Sequence, residues 1–501
     1  MRSLDTPVKQ IRRKIFTEIA KIGFHSTDES LIHDIEAIPY NIVEERAKYR
    51  DSIYRERAVA SERVRLAMGL SLRPENKAVH LTDGVEASNI DEKYYEPPLM
   101  QVIPSACAAC APNKYEVSNM CKGCVAHPCM QACPKGAISM IGGKSFIDQE
   151  KCIKCGKCKA VCPYDAIAHK ERPCERACGV KAISSDSQGR AAILQDKCVS
   201  CGMCMVSCPF GAISDKSQIF QLAHALREGI EVIAEVAPAY IYQFGDNVTP
   251  RKFRAALEAM GFANVYEVAL GADIGAISEA HHYAKEVATG HLPFLLTSCC
   301  PSWSMMAKKS FPDMIDNISQ ELTPMVATAR KIKQEHPNAK VVFIGPCASK
   351  KLEAMRTTVR SDVDFVVTFE EMWGMFDAKE IDPASYEGET SLHDATGAGR
   401  GYAVAGGVAG AIEACLKEYY PDVPVHIEHA ESLAECKKVL ALAKAGKIKG
   451  CMIEGMACPG GCLGGAGTNA PFTKSSKALK KFVESSSRKV PPKELEEIEL
   501  K

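Results

Sequence analysis

The sequence predicts an α/β domain with mainly parallel sheets, preceded by a small cysteine-rich α+β region and a helical N-terminal segment. Three observations predict it. Beyond residue 220, seven short apolar runs (IEVIAEVAPA, VYEVALG, FLLTSC, KVVFIGPC, VDFVVTF, VHIEHA and GCMIEGMAC) alternate with amphipathic segments, the pattern of strands joined by crossover helices. Sixteen of the 24 cysteines lie between Cys107 and Cys208. Residues 1–100 contain no cysteine and read as charged helices.

In the N-terminal segment, an amphipathic stretch from Ile42 to Met68 places Val43, Ala47, Ile53, Tyr54, Val64 and Met68 near helical spacing. Its alternating charges read as a solvated face on a packing or docking segment. The opening MRSLDTPVKQIRRKIFTEIAKIGF has neither a continuous apolar stretch nor a small-residue cleavage site, and no run is long enough to span a bilayer. A cytoplasmic location without a membrane span is therefore expected. The 62 basic and 62 acidic residues cancel, which argues against general nucleic-acid binding. At 501 residues and 46% hydrophobic there is room for about three domains, and such a length does not need a disulfide scaffold. The thiols read as metal ligands.

Between residues 101 and 220, Cys152, Cys155, Cys158 and Cys162 precede Pro163, and Cys198, Cys201, Cys204 and Cys208 precede Pro209. This is the bacterial ferredoxin run, in which three close thiolates grip one 4Fe-4S cubane and the fourth reaches across to another. CPKGAI, CPYDAI, CGVKAI and CPFGAI mark four half-repeats. Pairing the runs gives Cys152, Cys155 and Cys158 with Cys208, and Cys198, Cys201 and Cys204 with Cys162. The outer sets are then Cys121, Cys124 and Cys129 with Cys178, and Cys107, Cys110 and Cys174 with Cys133. Two to four cubanes follow, with four the best count. A zinc site or spare thiols remain the alternative for the outer two, where Gly179 replaces the usual proline.

In the α/β region, residues 221–470, three strand-like runs end in cysteine: Cys299 and Cys300, Cys347, and Cys458 and Cys462. Ligands in open α/β sheets bind beyond the carboxyl ends of strands, so these soft thiols can converge on one iron-sulfur site. Cys415, Cys436 and Cys451 read as buried small hydrophobes. No dinucleotide or phosphate-loop fingerprint occurs in the right context, so electrons are expected from a separate carrier. Residues 471–501 read as a polar or helical tail.

TSCCPSW (Thr297 to Trp303), PCASKKLE (Pro346 to Glu353) and EGMACPGGCLGGAG (Glu454 to Gly467) resemble, in order, the three signature motifs of the FeFe hydrogenases. The likeness covers roughly residues 225–468. It implies an α/β catalytic domain behind a ferredoxin-like multi-cluster domain. It further implies that Cys300, Cys347, Cys458 and Cys462 hold the cubane of an H-cluster, with Cys462 bridging to a two-iron subsite carrying CO, CN and dithiolate ligands. Cys299 would pass a proton to that subsite, Lys350 would donate a hydrogen bond to a cyanide, and Met456 and Pro238 would pack around it. Glu279 and Ser319 match the family's proton relay, while its second glutamate falls on His282, which can also relay protons.

Two pocket positions depart from the family pattern: Gly345 stands where a methionine is common, and Ala239 where a serine is frequent. The implied partners are a ferredoxin or similar low-potential carrier and the hydrogenase maturation proteins. The rival readings are a hydrogen sensor with little turnover and an iron-sulfur carrier or assembly factor lacking the two-iron subsite.

Overall fold

The computed structural model describes residues 6–392, 395–498 and 500. All seven predicted strands form, in two parallel sheets. The first has the order Asn264–Glu267, Val232–Val236, Lys340–Gly345, Phe365–Thr368, and the second Phe294–Leu296, Cys451–Met456, Ile427–Glu431. Their central strands are buried along every residue from Val232 to Val236 and from Cys451 to Met456. That accounts for their near-continuous apolar runs, broken only by the buried Glu235 and Glu454, since helices cover both faces of such sheets.

The N-terminal segment is helical over Pro7–His25, Leu31–Ile42 and Ile53–Ala67. The expected helix from Ile42 begins only at Ile53: Ser52 caps it by accepting from the Arg55 N–H, and Val43 closes the preceding helix. Tyr54, placed on the apolar stripe by spacing, is 81% exposed. The first helix buries Ile15, Phe16 and Ile19 in the same hydrophobic core as the first sheet. Its Phe16 backs directly onto Gly374, where a Cβ would come within 2.6 Å of the Phe16 Cβ.

The cysteine-rich region is two nested units. In one, Lys114–Val117 pairs antiparallel with Ile167–Lys170 around the hairpin Ile138–Ile141/Lys144–Ile147. In the other, Met100–Val102 pairs with Ile213–Asp215 beside the hairpin Ile183–Ser185/Ala191–Ile193. The first unit is thus inserted within the second, between Cys110 and Cys174.

Lys351 ties this region to the α/β domain. Its ammonium lies 2.7 Å from Asp215 and 2.6 Å from Glu371, all three buried.

Candidate functional site

The nesting corrects the sequence-based pairing of the upstream cysteines. Cys107, Cys110, Cys174 and Cys208 line one small cavity, and Cys133 lines another with Cys152, Cys155 and Cys158. The thiols of Cys198, Cys201 and Cys204 all interact with Cys178. Cys121, Cys124 and Cys129 are left with Cys162, which packs into the same core as Cys129. Each triplet is as the sequence predicts, but the fourth member always comes from the other half-repeat of the same unit. Strand pairing, a long-range contact, decides this.

The four half-repeats share one backbone. In the opening Cys-x-x-Cys of each half-repeat the residue before the second cysteine is left-handed: Ala109, Gly123, Lys154 and Ser200 have φ of 47°, 60°, 58° and 53°. Gly136, Asp165, Lys181 and Gly211, three residues after the closing cysteine, are left-handed too. These turns point N–H groups at sulfur. Lys154 and Ser200 donate to Cys152 and Cys198 at 3.4 Å, and Ala137, Ala182 and Ala212 donate to Cys133, Cys178 and Cys208 at 3.3, 3.1 and 3.4 Å. Such bonds stabilise thiolates and tune iron-sulfur clusters. The Gly179 repeat therefore has the same cradle as the others.

The downstream cysteines also converge. The carboxyl ends of the central strands of both sheets face one cavity of ≈ 90 Å³, lined by Cys299, Cys300, Cys347, Cys458 and Cys462 together with Lys350, Met456, Pro238, Ala239 and Tyr402. Cys300 caps the helix Pro301–Ser310, whose first residue is proline, a position that needs no N–H. Cys347 precedes the short helix Ser349–Glu353, which carries Lys350. The Lys350 ammonium lies 2.6 Å from Glu353 and 3.2 Å from the Thr323 hydroxyl. Burial favours its neutral form, but Glu353, Cys347 and Cys299 outweigh that and hold it above the usual lysine range. Burial likewise pushes the Cys462 thiol up to about 12, so a bare thiolate there is unfavourable until a metal ion takes the proton's place.

The departures from the family motifs have a structural explanation in one case. A Cβ on Gly345 would meet the Phe343 ring at 2.3 Å. The Phe343 ring lines the cavity from the space a side chain at 345 would use. Ala239 also lines the cavity, and nothing in the structure offsets a lost hydroxyl there.

Glu279 lies on the helix Ala269–His282, 5% exposed. It is hydrogen-bonded to Ser319 and interacts with Cys299. Burial raises its carboxyl to about 7, with Glu321 and Glu454 adding to the rise and Ser319 opposing it. His282 is half-buried and lines an open surface cavity of ≈ 400 Å³ together with Glu321. Glu321, which sequence reasoning passed over, is raised by burial and held back by His282 and His281. Its N–H donates to Ser319 Oγ at 3.3 Å, so it stands between Ser319 and the surface. No motif marks it; only the fold brings it there. Cys415, Cys436 and Cys451 are buried in hydrophobic clusters, as expected.

Residues 230–466 match the iron only hydrogenase large subunit, C-terminal domain; residues 146–168 match a 4Fe-4S binding domain and residues 168–219 the LdpA Fe-S cluster-binding domain. A periplasmic Fe hydrogenase large subunit of Nitratidesulfovibrio vulgaris is 28% identical over 377 residues, 64% of this chain and 85% of its own length. A cytosolic Fe-S cluster assembly factor of Kluyveromyces lactis is 36% identical over 92 residues, 18% of this chain and 20% of its own. An FeFe-hydrogenase of Chlamydomonas reinhardtii overlaps 52% of this chain and 87% of its own at a TM-score of 0.42 and 24% identity. Residues 230–466 thus carry the C-terminal domain of the iron-only hydrogenase large subunit, behind a 4Fe-4S binding region.

Proposed function

We propose that this protein is an FeFe hydrogenase interconverting protons and electrons with dihydrogen. The observation that carries this is the gathering of four cluster-type thiols, a fifth free thiol and a buried ammonium on one otherwise apolar cavity. That donor set fits an H-cluster. Cys300, Cys347, Cys458 and Cys462 would hold it, and Lys350 would face its anionic ligands. When bound, the group supplies the iron at which the H–H bond is made or broken.

Cys299 holds a proton beside that group, kept protonated by burial and by the neighbouring thiols and carboxylates. Glu279, with its carboxyl near 7, exchanges protons with Cys299 and with Ser319. Glu321 and His282 carry the path to the open surface cavity. Electrons follow the cysteine sets. Cys201 interacts with Cys300, so the Cys178, Cys198, Cys201 and Cys204 set adjoins the catalytic cavity, with the Cys107, Cys110, Cys174 and Cys208 set sharing its unit. A low-potential carrier such as a ferredoxin would dock on the inserted unit, whose surface exposes Val125, Ile141, Phe146 and Ile153. Maturation proteins would install the two-iron subsite.

Among the described residues no helix is long and apolar enough to cross a membrane.

Likeness to the assembly factor supports a second reading, in which the chain carries cubanes without turnover. Infrared spectroscopy of anaerobically matured protein, paired with dihydrogen evolution from a reduced viologen, separates the two. Cyanide and carbonyl bands with turnover that collapses in Cys299→Ala establish the hydrogenase. Bands without turnover point to a sensor. Intact cubanes without bands after competent maturation leave the carrier or assembly role.

A further inference from the structure

A second cavity, unrelated to the catalytic one, opens where the N-terminal helices meet the cysteine-rich region. Its volume is ≈ 520 Å³, within the size range of small-molecule sites. The helices Pro7–His25 and Ile53–Ala67, together with residues 42–50, form its walls; Met205 to Phe210 and Gly465 to Thr468 form the rest.

Its charge is unbalanced. Lys9, Arg12, Arg46, Lys48, Arg50 and Arg63 line it, against two carboxylates, Glu56 and Glu370. Glu56 is already engaged, accepting from the backbone N–H groups of Lys48 and Tyr49. Glu370 pairs with Arg12 at 3.1 Å. Arg63 donates to the Gly211 carbonyl, and Arg50 to the carbonyls of Phe210 at 3.0 Å and Ala106 at 3.4 Å. Carbonyl oxygens satisfy the hydrogens of a guanidinium without cancelling its charge. Burial, with Arg12 and Arg50 repelling it, lowers Arg63 to about 9.

Arg12 adds an independent observation. It is 8% exposed and lines the cavity, yet its Nε has no hydrogen-bond partner among the described residues. The Arg12 charge is met by Glu370 at 3.1 Å and Asp215 at 3.7 Å, but a buried N–H without an acceptor is costly. The open Nε, with the surplus of cations around it, points to an anion. Guanidinium forks match phosphate geometry, and an excess of more than one positive charge suits a dianion better than a single carboxylate. Apolar side chains, including Ile11, Ile42, Val43 and Val59, line the remainder and suit an apolar body.

We propose that this cavity binds a small organic phosphate of roughly nucleotide size, its phosphate held by Arg12, Arg46 and Arg63 and its apolar part packed on Ile11, Ile42 and Val59. Cys208 lines the same cavity. If Cys208 holds a cluster, a bound dianion disfavours that cluster's reduction, so occupancy lowers its potential and throttles electron flow. This coupling rests on the hydrogenase reading; the binding site does not.

The test is calorimetric titration of the full cluster-loaded chain with adenosine monophosphate, inorganic phosphate and adenosine. Adenosine monophosphate is expected to bind one per chain, at least tenfold tighter than either inorganic phosphate or adenosine. Arg46→Ala and Arg12→Gln each weaken it at least tenfold, and Arg12→Lys weakens it less. Arg46 is exposed, so its variant decides the matter even if Arg12→Gln fails to fold. Absence of saturable binding at millimolar concentration, equal binding of adenosine, or unchanged binding by Arg46→Ala overturns the proposal and leaves the cations serving the cluster's own charge. An EPR-monitored redox titration with and without adenosine monophosphate reads the coupling separately: binding without a shift in any cluster overturns the link to Cys208 alone.

Discussion

Replacing Glu279 by glutamine separates the two consequences of burying a carboxylate. The structure raises the Glu279 carboxyl from 4.5 to about 7, chiefly by burial. At 1.36 kcal/mol per tenfold change in proton affinity, this is roughly 3 kcal/mol against the charged form. Because the folded-state value lies above the unfolded one, the folded protein holds this proton more tightly. Below about pH 4.5 both states are protonated and the residue costs nothing. The penalty grows between pH 4.5 and 7 and is complete above about 7. Glu279→Gln removes it, so the variant is expected to be about 3 kcal/mol more stable than the native chain at pH 8 and unchanged near pH 4.5. Turnover moves the other way, because a lost proton-transfer group costs roughly 10²- to 10⁴-fold. The assay pairs viologen-driven dihydrogen evolution with chemical denaturation at pH 8 and pH 5, and follows the buried carboxyl C=O stretch by infrared across pH 5 to 9. A native stretch that titrates near 7 and is absent in the variant confirms the assignment. Turnover within threefold of native, or equal stability gain at both pH values, refutes it.

Three further outcomes are expected. Lys351→Met removes the cation shared by Asp215 and Glu371, leaving Asp215 only Arg12 at 3.7 Å, and should destabilise the chain by about 3–5 kcal/mol, read as a lowered thermal midpoint. Gly345→Met forces a side chain into the Phe343 ring, at about 1–3 kcal/mol of overpacking strain, and Phe343→Ala in the same chain should relieve it, a non-additivity visible in a double-mutant cycle. Iron counts test the corrected ligand sets: Cys178→Ser combined with Cys201→Ser should remove one cluster, about four irons, whereas Cys162→Ser combined with Cys201→Ser should remove two, about eight.

Local features were legible in the chain. Three of the four cysteine triplets each fall within one short run, so their identity needs no knowledge of the fold; the fourth joins Cys107 and Cys110 to Cys174 across the inserted unit. The buried central strands announce themselves because both faces are covered and nearly every position is apolar, Glu235 and Glu454 being the exceptions. The three motifs around Cys300, Cys347 and Cys462 sit at strand ends, where parallel direction brings Cys300 and Cys462 to one edge of the second sheet, while Cys347 ends a strand of the first and meets them only through the packing of the two sheets. Contacts between distant segments were not legible. Whether Cys162 or Cys178 completes a given set depends on Lys114–Val117 pairing with Ile167–Lys170 and Met100–Val102 with Ile213–Asp215, and the half-repeats are too alike for sequence to choose. Glu321 comes within reach of the proposed relay only because the turn carrying Ser319 brings it beside the helix of Glu279. The Phe343 ring replaces the side chain missing at Gly345 from two residues away on the same strand, a substitution that packing reveals and spacing does not. Sequence determined which atoms are available for chemistry; tertiary structure decided which of them meet, because pairing and burial are set by the whole chain rather than by neighbours along it.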